Sequence, residues 1–514
     1  MSYEKHADEY PVEINYTFNY SRALAPSFLK LVTLSQFVPF PARRPLRYLE
    51  LGYGNGVSLN IHAAASPGDY WGTDINPSHA AFARKLAGIA GTGVHILNLP
   101  FADLLDSDLP DFDVIVAHGV WSWISRSNQN AIVELVHKKL VKGGIFYLTY
   151  NALPGCASVI PLQQLLYLPS ERTFRGAPIL DRLEAGLSLA RAVREAGGKY
   201  FTAAPKAAQR LEEFDTASPI DLCHEYLSGY WKPSSFCETA ATLAGADLRF
   251  VGTANLAEHY DELNFDSKGT TLLESIEDWC LRETTRDFLK DRQFRGDVYV
   301  KGDVSLTQAE RDEAFQGLAF ALLIREEDTP TEVDMPAGAV RLDNPPFSSV
   351  LSELAKGGCG FQTVRELVSR CSHAGVESSE VVRVLLIFFH LGIVVPAQDR
   401  DSIERAEKNC LRFNEAVLSG SLGQALNVLA SPVTGGGLYI SPTQQLFMRA
   451  LRAGENSPVR WAQLAWEMLA TQSAVEETSV SHDGLRGATL LREAFAFHKF
   501  LPILFNLTCN RIDL

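Results

Sequence analysis

The sequence predicts an α/β protein built on a mostly parallel, Rossmann-like sheet, and three observations predict it. Apolar, β-branched runs of strand length alternate with amphipathic segments of helical length from residue 48 to about 151. The first run ends in Glu50-Leu51-Gly52-Tyr53-Gly54-Asn55-Gly56, a turn with glycines at alternate positions. The second ends in an acid, Asp74, twenty-two residues after Gly52, where sheets of this kind hold ribose hydroxyls.

In chain order, residues 16–38 come first and are rich in aromatics: Tyr16, Phe18, Tyr20, Phe28 and Phe37. They are expected either to form an arm that closes over a ligand, with Tyr20 touching the substrate, or to pack as a helix beside the sheet. The glycine turn after the first strand selects a ligand class. A dinucleotide turn needs GxGxxG, so that backbone can approach a pyrophosphate at a helix N-terminus. Here Val57 stands where the third glycine would be, and Glu50 would repel a pyrophosphate. A cationic or zwitterionic ligand suits the turn better, held by Glu50, Gly52, Gly54, Asn55 and Gly56.

Strands are then expected at 69–75, ending in Asp74 and Ile75, at 94–99, at 111–118 and at 143–151, with Phe101-Ala102-Asp103 following the third. Helical periodicity at 180–191 marks an insertion after the fifth strand. The sheet resumes with a helix through Ala246, a sixth strand at 248–252, a helix over 275–292 and a seventh strand at 296–301. A Pro-, Asp- and Glu-containing stretch at 326–347 reads as a linker. Helices near 347–354, 363–368 and 378–389 and a strand at 392–395 give a winged-helix-like order. Its third helix offers only Arg383 to a nucleic acid, so packing or protein contact is the expected role. The remainder is mainly helical, broken by Ser431-Pro432-Val433-Thr434-Gly435-Gly436-Gly437, in which no chemistry is legible. The expected domains are 1–39, an arm; 40–155, the Rossmann-like core; 156–230, the helical insertion; 231–305, the rest of the core; 306–400, linker and winged-helix-like unit; and 401–514, a helical C-terminal region.

Composition bounds the function. A net charge of −14 argues against nucleic acid, whose partners lean on clustered Lys and Arg. No apolar run reaches membrane-spanning length and the first residues lack a signal-peptide core, so no membrane insertion and a cytoplasmic setting are expected. Eight cysteines without a CxxC pair imply no metal site and no disulfide framework, and are read as reduced core residues. A homodimer is compatible with the sequence but not specified by it.

The turn at 50–56 resembles motif I of the class I S-adenosylmethionine (SAM) methyltransferases. Together with Ala117-His118-Gly119-Val120-Trp121-Ser122-Trp123, Tyr150-Asn151-Ala152-Leu153-Pro154-Gly155 and His224-Glu225-Tyr226-Leu227-Ser228-Gly229-Tyr230-Trp231-Lys232-Pro233, it is similar to a bacterial group. These are methyltransferases carrying a methyltransferase regulatory domain, among them rickettsial protein-lysine methyltransferases that act on outer-membrane proteins. The patch at 431–435 also matches. The resemblance implies a seven-stranded core with an antiparallel pair at its edge, SAM as cofactor, Asp74 on the ribose, 101–103 about the adenine, and a protein or peptide substrate. Tyr53 and Trp121 depart from the group, which commonly has a small residue or Cys, and Tyr, at those places.

Methyl transfer is an in-line displacement on a sulfonium methyl, and a lysine acceptor must first lose a proton. Residues after the fourth and fifth strands should lie beside the methyl. His118 is either a proton acceptor or a contact to SAM or backbone. Tyr150 and Asn151 are candidate polar contacts at the chemistry. Trp121 and Trp123 either wall a pocket for an alkylammonium or pack as core aromatics. His224, Glu225 and Trp231 are expected to fix the insertion against the core. Besides protein-lysine methylation, two other functions fit: methylation of a small molecule or peptide natural product, and non-catalytic SAM binding in a regulatory protein.

Overall fold

A computed structural model describes residues 17–357, 360–422, 426–473 and 483–509. Tyr16, at the head of the expected arm, lies outside them. Seven strands form the central sheet: β1 (Leu46–Leu51), β2 (Gly68–Thr73), β3 (His95–Leu97), β4 (Phe112–Ala117), β5 (Leu140–Asn151), β6 (Leu248–Thr253) and β7 (Phe294–Lys301). Their order is β3-β2-β1-β4-β5-β7-β6. The first five are parallel, and β7 runs antiparallel between β5 and β6. The expected edge pair is therefore present, with the last strand in sequence placed inside the sixth.

Local chemistry explains the elements. Every residue of β4 is buried, as the apolar run Val114–Ala117 requires of a strand covered on both faces, and the one acid among them, Asp113, accepts from Arg47 N at 2.9 Å. The helix Pro77–Ala90 starts where the Asn76 side chain accepts from Ser78 N, with proline in its first turn, and stops at left-handed Gly91. Chain order reverses about β1, which pairs with β2 on one side and β4 on the other. That reversal opens a crevice beyond the carboxyl ends of β1 and β4.

The insertion folds as helices from Ile160–Arg172 to Pro219–Tyr226 around a core of its own, including Leu166, Leu187, Phe201, Leu211 and Leu222. The helix expected over 275–292 is Trp279–Lys290, preceded by a separate helix, Ser267–Glu274, and each is capped by an aspartate side chain, Asp278 and Asp266. Cys237 and Cys280 are joined by a disulfide between neighbouring helices, which corrects the expectation that all cysteines are reduced. Their separation of 43 residues gives no sequence signal of the pairing.

The expected linker is structured, with a hairpin of β9 (Glu332–Met335) and β10 (Gly338–Arg341) after β8 (Ala319–Leu322). β8 was not expected; it is the centre of a three-stranded antiparallel sheet with β11 (Phe361–Thr363) and β12 (Val394–Ala397). The helix Ser378–His390 is buried along Val384, Leu385, Leu386, Ile387, Phe388 and Phe389, and Arg383 is paired with Glu262 at 2.7 Å. This helix packs toward the N-terminal helix Pro26–Ser35, with Phe389 and Phe28 ring centroids 5.4 Å apart. Farther on, the helix Arg400–Ser419 lies against the helix Val57–Ala65 that follows the glycine turn, Cys410 Sγ donating to Ala64 O. Among the described residues, no helix is long and apolar enough to cross a membrane.

Candidate functional site

The carboxyl ends of β1, β2, β4 and β5 open into one cavity of about 770 Å³. Gly52, Gly54 and Gly56 all adopt positive φ, at 73°, 56° and 70°. At Gly52 space adds to the demand for glycine, because a Cβ there would sit 2.4 Å from Val120 Cγ2. The turn is fastened by Gly52 N donating to Thr73 O and by Gly54 N donating to Asp74 Oδ2 at 2.9 Å. Asp74 Oδ1 accepts from Asn76 N at 2.9 Å and lies 3.1 Å from His79 Nδ1. The acid expected to meet a ribose thus also sets the shape of the glycine turn.

Glu50 is 4% exposed, and its Oε2 has no hydrogen-bond partner among the described residues. Burial, with Asp74 nearby, pushes its carboxyl up to about 8. A buried carboxylate left unpaired is costly unless a cation meets it. The ammonium and sulfonium of SAM are such cations, and the residues present therefore fit this cofactor.

His118 follows β4 and lines the cavity. Its Nδ1 is 3.3 Å from Thr149 Oγ1, which also accepts from Gly119 N at 2.7 Å. Burial lowers the imidazole to about 4, so the ring is neutral near neutral pH. Asn151 lines the cavity as well. Its Oδ1 accepts from Trp231 Nε1 at 3.1 Å, and because an indole only donates, the amide orientation is fixed. Trp123 and Trp231 face each other with ring centroids 6.1 Å apart, and both line the cavity.

The other expected residues divide. Asn55, Ile75, Phe101 and Tyr20 line the cavity with Gly52 and Gly54, whereas Gly56 does not and is instead packed close to Ala83, where a Cβ would lie 2.6 Å from its side chain. Tyr150 does not: it is 1% exposed and donates from Oη to Asp297 Oδ2 at 2.8 Å, on the opposite side of β5 from Asn151. Trp121 is 2% exposed within the core beneath the sheet. Ala102 and Asp103 are exposed on the short helix Phe101–Leu104 and do not reach the cavity. Sequence reasoning missed the outer wall. Lys206, Gln209, Arg210, Glu213, His224, Glu225 and Trp231 line it, all from the insertion or just after it. Arg210 is paired with Glu213 at 3.1 Å and Glu225 at 3.4 Å, and donates to Tyr226 Oη at 2.9 Å. The amphipathic pattern of the insertion shows that it has an inner face, but not that part of its rim closes a cavity.

Sheet order, switch-point crevice and orphaned acid define a class I SAM-dependent methyltransferase. Residues 49–146 match the methyltransferase domain family and residues 220–301 the predicted methyltransferase regulatory domain. An uncharacterized protein of Synechocystis sp., sll1526, is 32% identical over 467 residues, covering 90% of each chain. A Rickettsia prowazekii protein, RP789, is 25% identical over 297 residues, 56% of this chain and 52% of that one. The solved structure of PKMT2 from Rickettsia typhi in complex with AdoHcy superposes with a TM-score of 0.67 at 16% identity, covering 96% of this chain and all of that one. The chain belongs to the family of SAM-dependent methyltransferases that carry a methyltransferase regulatory domain.

Proposed function

We propose that this enzyme methylates lysine amines of a protein or peptide, in the cytoplasm. The observation that carries the reading is the acid excess of the cavity: Glu50, Asp74, Glu213 and Glu225 against Lys206 and Arg210. Lys206 is held by Asp291, and Arg210 by Glu213 and Glu225, so both cations are already paired. Glu50 and Asp74 then favour the cationic end of the cofactor, while Glu213 and Glu225 against the single Arg210 leave the outer wall with a net negative charge that favours a cationic acceptor.

Glu50 would hold the amino group of the cofactor, Asp74 its ribose, and Ile75 and Phe101 its adenine. When bound there, SAM supplies an electrophilic methyl. Trp123 and Trp231 offer aromatic faces suited to an alkylammonium. Asn151 can only donate from Nδ2 and spends one oxygen lone pair on Trp231, so it orients its neighbours more than it accepts a proton. His118, neutral and hard to protonate, is a poor base for an ammonium of pKa about 10. The acceptor therefore loses its proton to water before the arm and insertion exclude solvent. Residues 306–400 are read as a winged-helix-like unit that acts by packing, and the domain limits given above are retained.

A small-molecule acceptor is favoured by a different observation: the insertion walls the cavity instead of leaving an open groove. Labelled methyl donor incubated with cell lysate and enzyme decides between them. Label in protein bands, lost on lysine acetylation of the lysate, supports the first reading; label confined to the small-molecule fraction overturns it.

A further inference from the structure

The patch at 431–437 ends in the hairpin of β13 (Val428–Ser431) and β14 (Gly436–Tyr439). Its far strand meets the N-terminal arm more than 400 residues away in sequence. Gly437 N donates to Tyr20 Oη at 2.7 Å, and Tyr439 Oη donates back to Tyr20 O at 2.6 Å. One turn of chain further, Ser27 Oγ donates to Thr434 O at 3.0 Å. The glycines of the patch are required by this approach. A Cβ at Gly436 would lie 2.7 Å from Tyr20 Oη, and one at Gly437 would lie 2.9 Å from Tyr20 Cζ.

The arm is simultaneously tied to the cofactor side. Ser21 N donates to Ser58 Oγ at 2.9 Å, and Asn55 Nδ2 donates to Thr17 O at 3.3 Å. Thr17, Asn19, Tyr20 and Ser21 all line the cavity. Tyr20 is 5% exposed, and burial raises its hydroxyl well above the ordinary phenol range, so it remains a neutral acceptor for Gly437 N.

We propose that Gly437 and Tyr439 are positioning residues: they clasp Tyr20 and so hold the N-terminal arm across the cofactor cavity. The C-terminal region thereby contributes to cofactor affinity without touching the cofactor. This rests on reading the cavity as the SAM site, and the two can fail separately. The probe is S-adenosylhomocysteine, titrated calorimetrically into the full chain, alongside amide hydrogen exchange of residues 17–25 in the free protein.

Tyr439→Phe removes one hydrogen bond and leaves the ring, and should speed exchange across 17–25 and raise Kd about fivefold, the equivalent of one ordinary hydrogen bond. In turnover, KM for SAM should rise with kcat little changed. Tyr20→Phe, which deletes the acceptor for Gly437 N, should act in the same direction, and the double variant should lose less than the sum. Trp461→Phe is the control. Its indole donates to Glu455 O at 2.5 Å, away from the arm and the hairpin, so it should lower thermal stability while leaving Kd unchanged. Unchanged exchange of 17–25 in Tyr439→Phe overturns the clasp, as does an equal rise in Kd from Trp461→Phe. A wild-type chain that does not bind the probe, with exchange still accelerated in Tyr439→Phe, retains the clasp and overturns the cavity assignment.

Discussion

Tyr150 Oη donates to Asp297 Oδ2 at 2.8 Å, and this bond goes with the face of β5 turned away from the cavity. Asn151, one residue on, points to the other face and into the cavity. Beneath Tyr150, Asp297 also receives Arg295 Nε at 2.9 Å, and Arg295 Nη1 donates to Asp287 at 2.6 Å. All four groups are buried. They hold β7 against β5 and so fix the floor under Asn151.

Tyr150→Phe should therefore behave as a stability variant. It removes a hydrogen bond to a charged acceptor, costing about 2 kcal/mol of unfolding free energy. Denaturant unfolding checks the loss, and kcat should change little. A collapse of kcat with stability intact would return Tyr150 to the chemistry.

Arg295→Met should cost more, about 3–5 kcal/mol, because Asp287 and Asp297 would be left buried without their cation. The loss should depend on pH. Burial already raises Asp287 to about 6 despite its arginines, and without Arg295 it should rise further. A carboxyl whose folded pKa lies above its unfolded value loses stability as pH rises through that window. The variant should therefore recover part of its stability at pH 5.5 relative to pH 8, measured by urea unfolding at both.

Much of this was legible in the sequence, for physical reasons that differ by element. The five parallel strands are apolar runs bounded by glycine, proline and acid, and their ends fall within a few residues of the expected positions. Glu50, Gly52 and Asp74 could be placed together at the cavity because a turn of this kind constrains residue type and spacing together. β8 was invisible because Ala319-Phe320-Ala321-Leu322 is a short apolar run with no alternation, and nothing local separates it from the end of a helix. Tyr150 was misplaced because a strand residue's face is set by register: a one-residue step exchanges cavity for core. Arg210 and Glu225 were unreadable as cavity wall because helical periodicity reports an apolar face and is silent on what its polar rim encloses.

Glu50 should make cofactor binding release a proton. Its folded carboxyl titrates near 8 against 4.5 for the ordinary group, so at pH 7 it is largely protonated in the free enzyme. Between those values the folded state holds the extra proton, and stability falls as pH rises from 4.5 toward 8. A bound ammonium reverses the preference and expels the proton. Calorimetry at pH 7 in buffers of different ionisation enthalpy should show this release. In Glu50→Gln the release should vanish and affinity should fall, while the free protein gains stability at pH 8, on the order of a few kcal/mol. Identical apparent enthalpies in all buffers would remove Glu50 from the cofactor's cationic end.

The remaining question at the site is where the acceptor's proton goes, and the pH dependence of turnover answers it. His118 titrates near 4 by burial, below its usual range, so it is fully neutral throughout pH 6–9. Its depressed folded pKa stabilises the fold above the unfolded value and loses that contribution as pH falls toward 4. No inflection in kcat/KM should arise from it between pH 6 and 9. If a lysine amine is the nucleophile and its proton goes to water, log kcat/KM should instead climb with a slope near one toward the lysine pKa of about 10.4. His118→Asn, which keeps a polar group beside Thr149, should lower the rate without bending that line. A wild-type plateau above pH 7 that His118→Asn abolishes would make the imidazole the base, and burial would then have to be relieved when the acceptor binds.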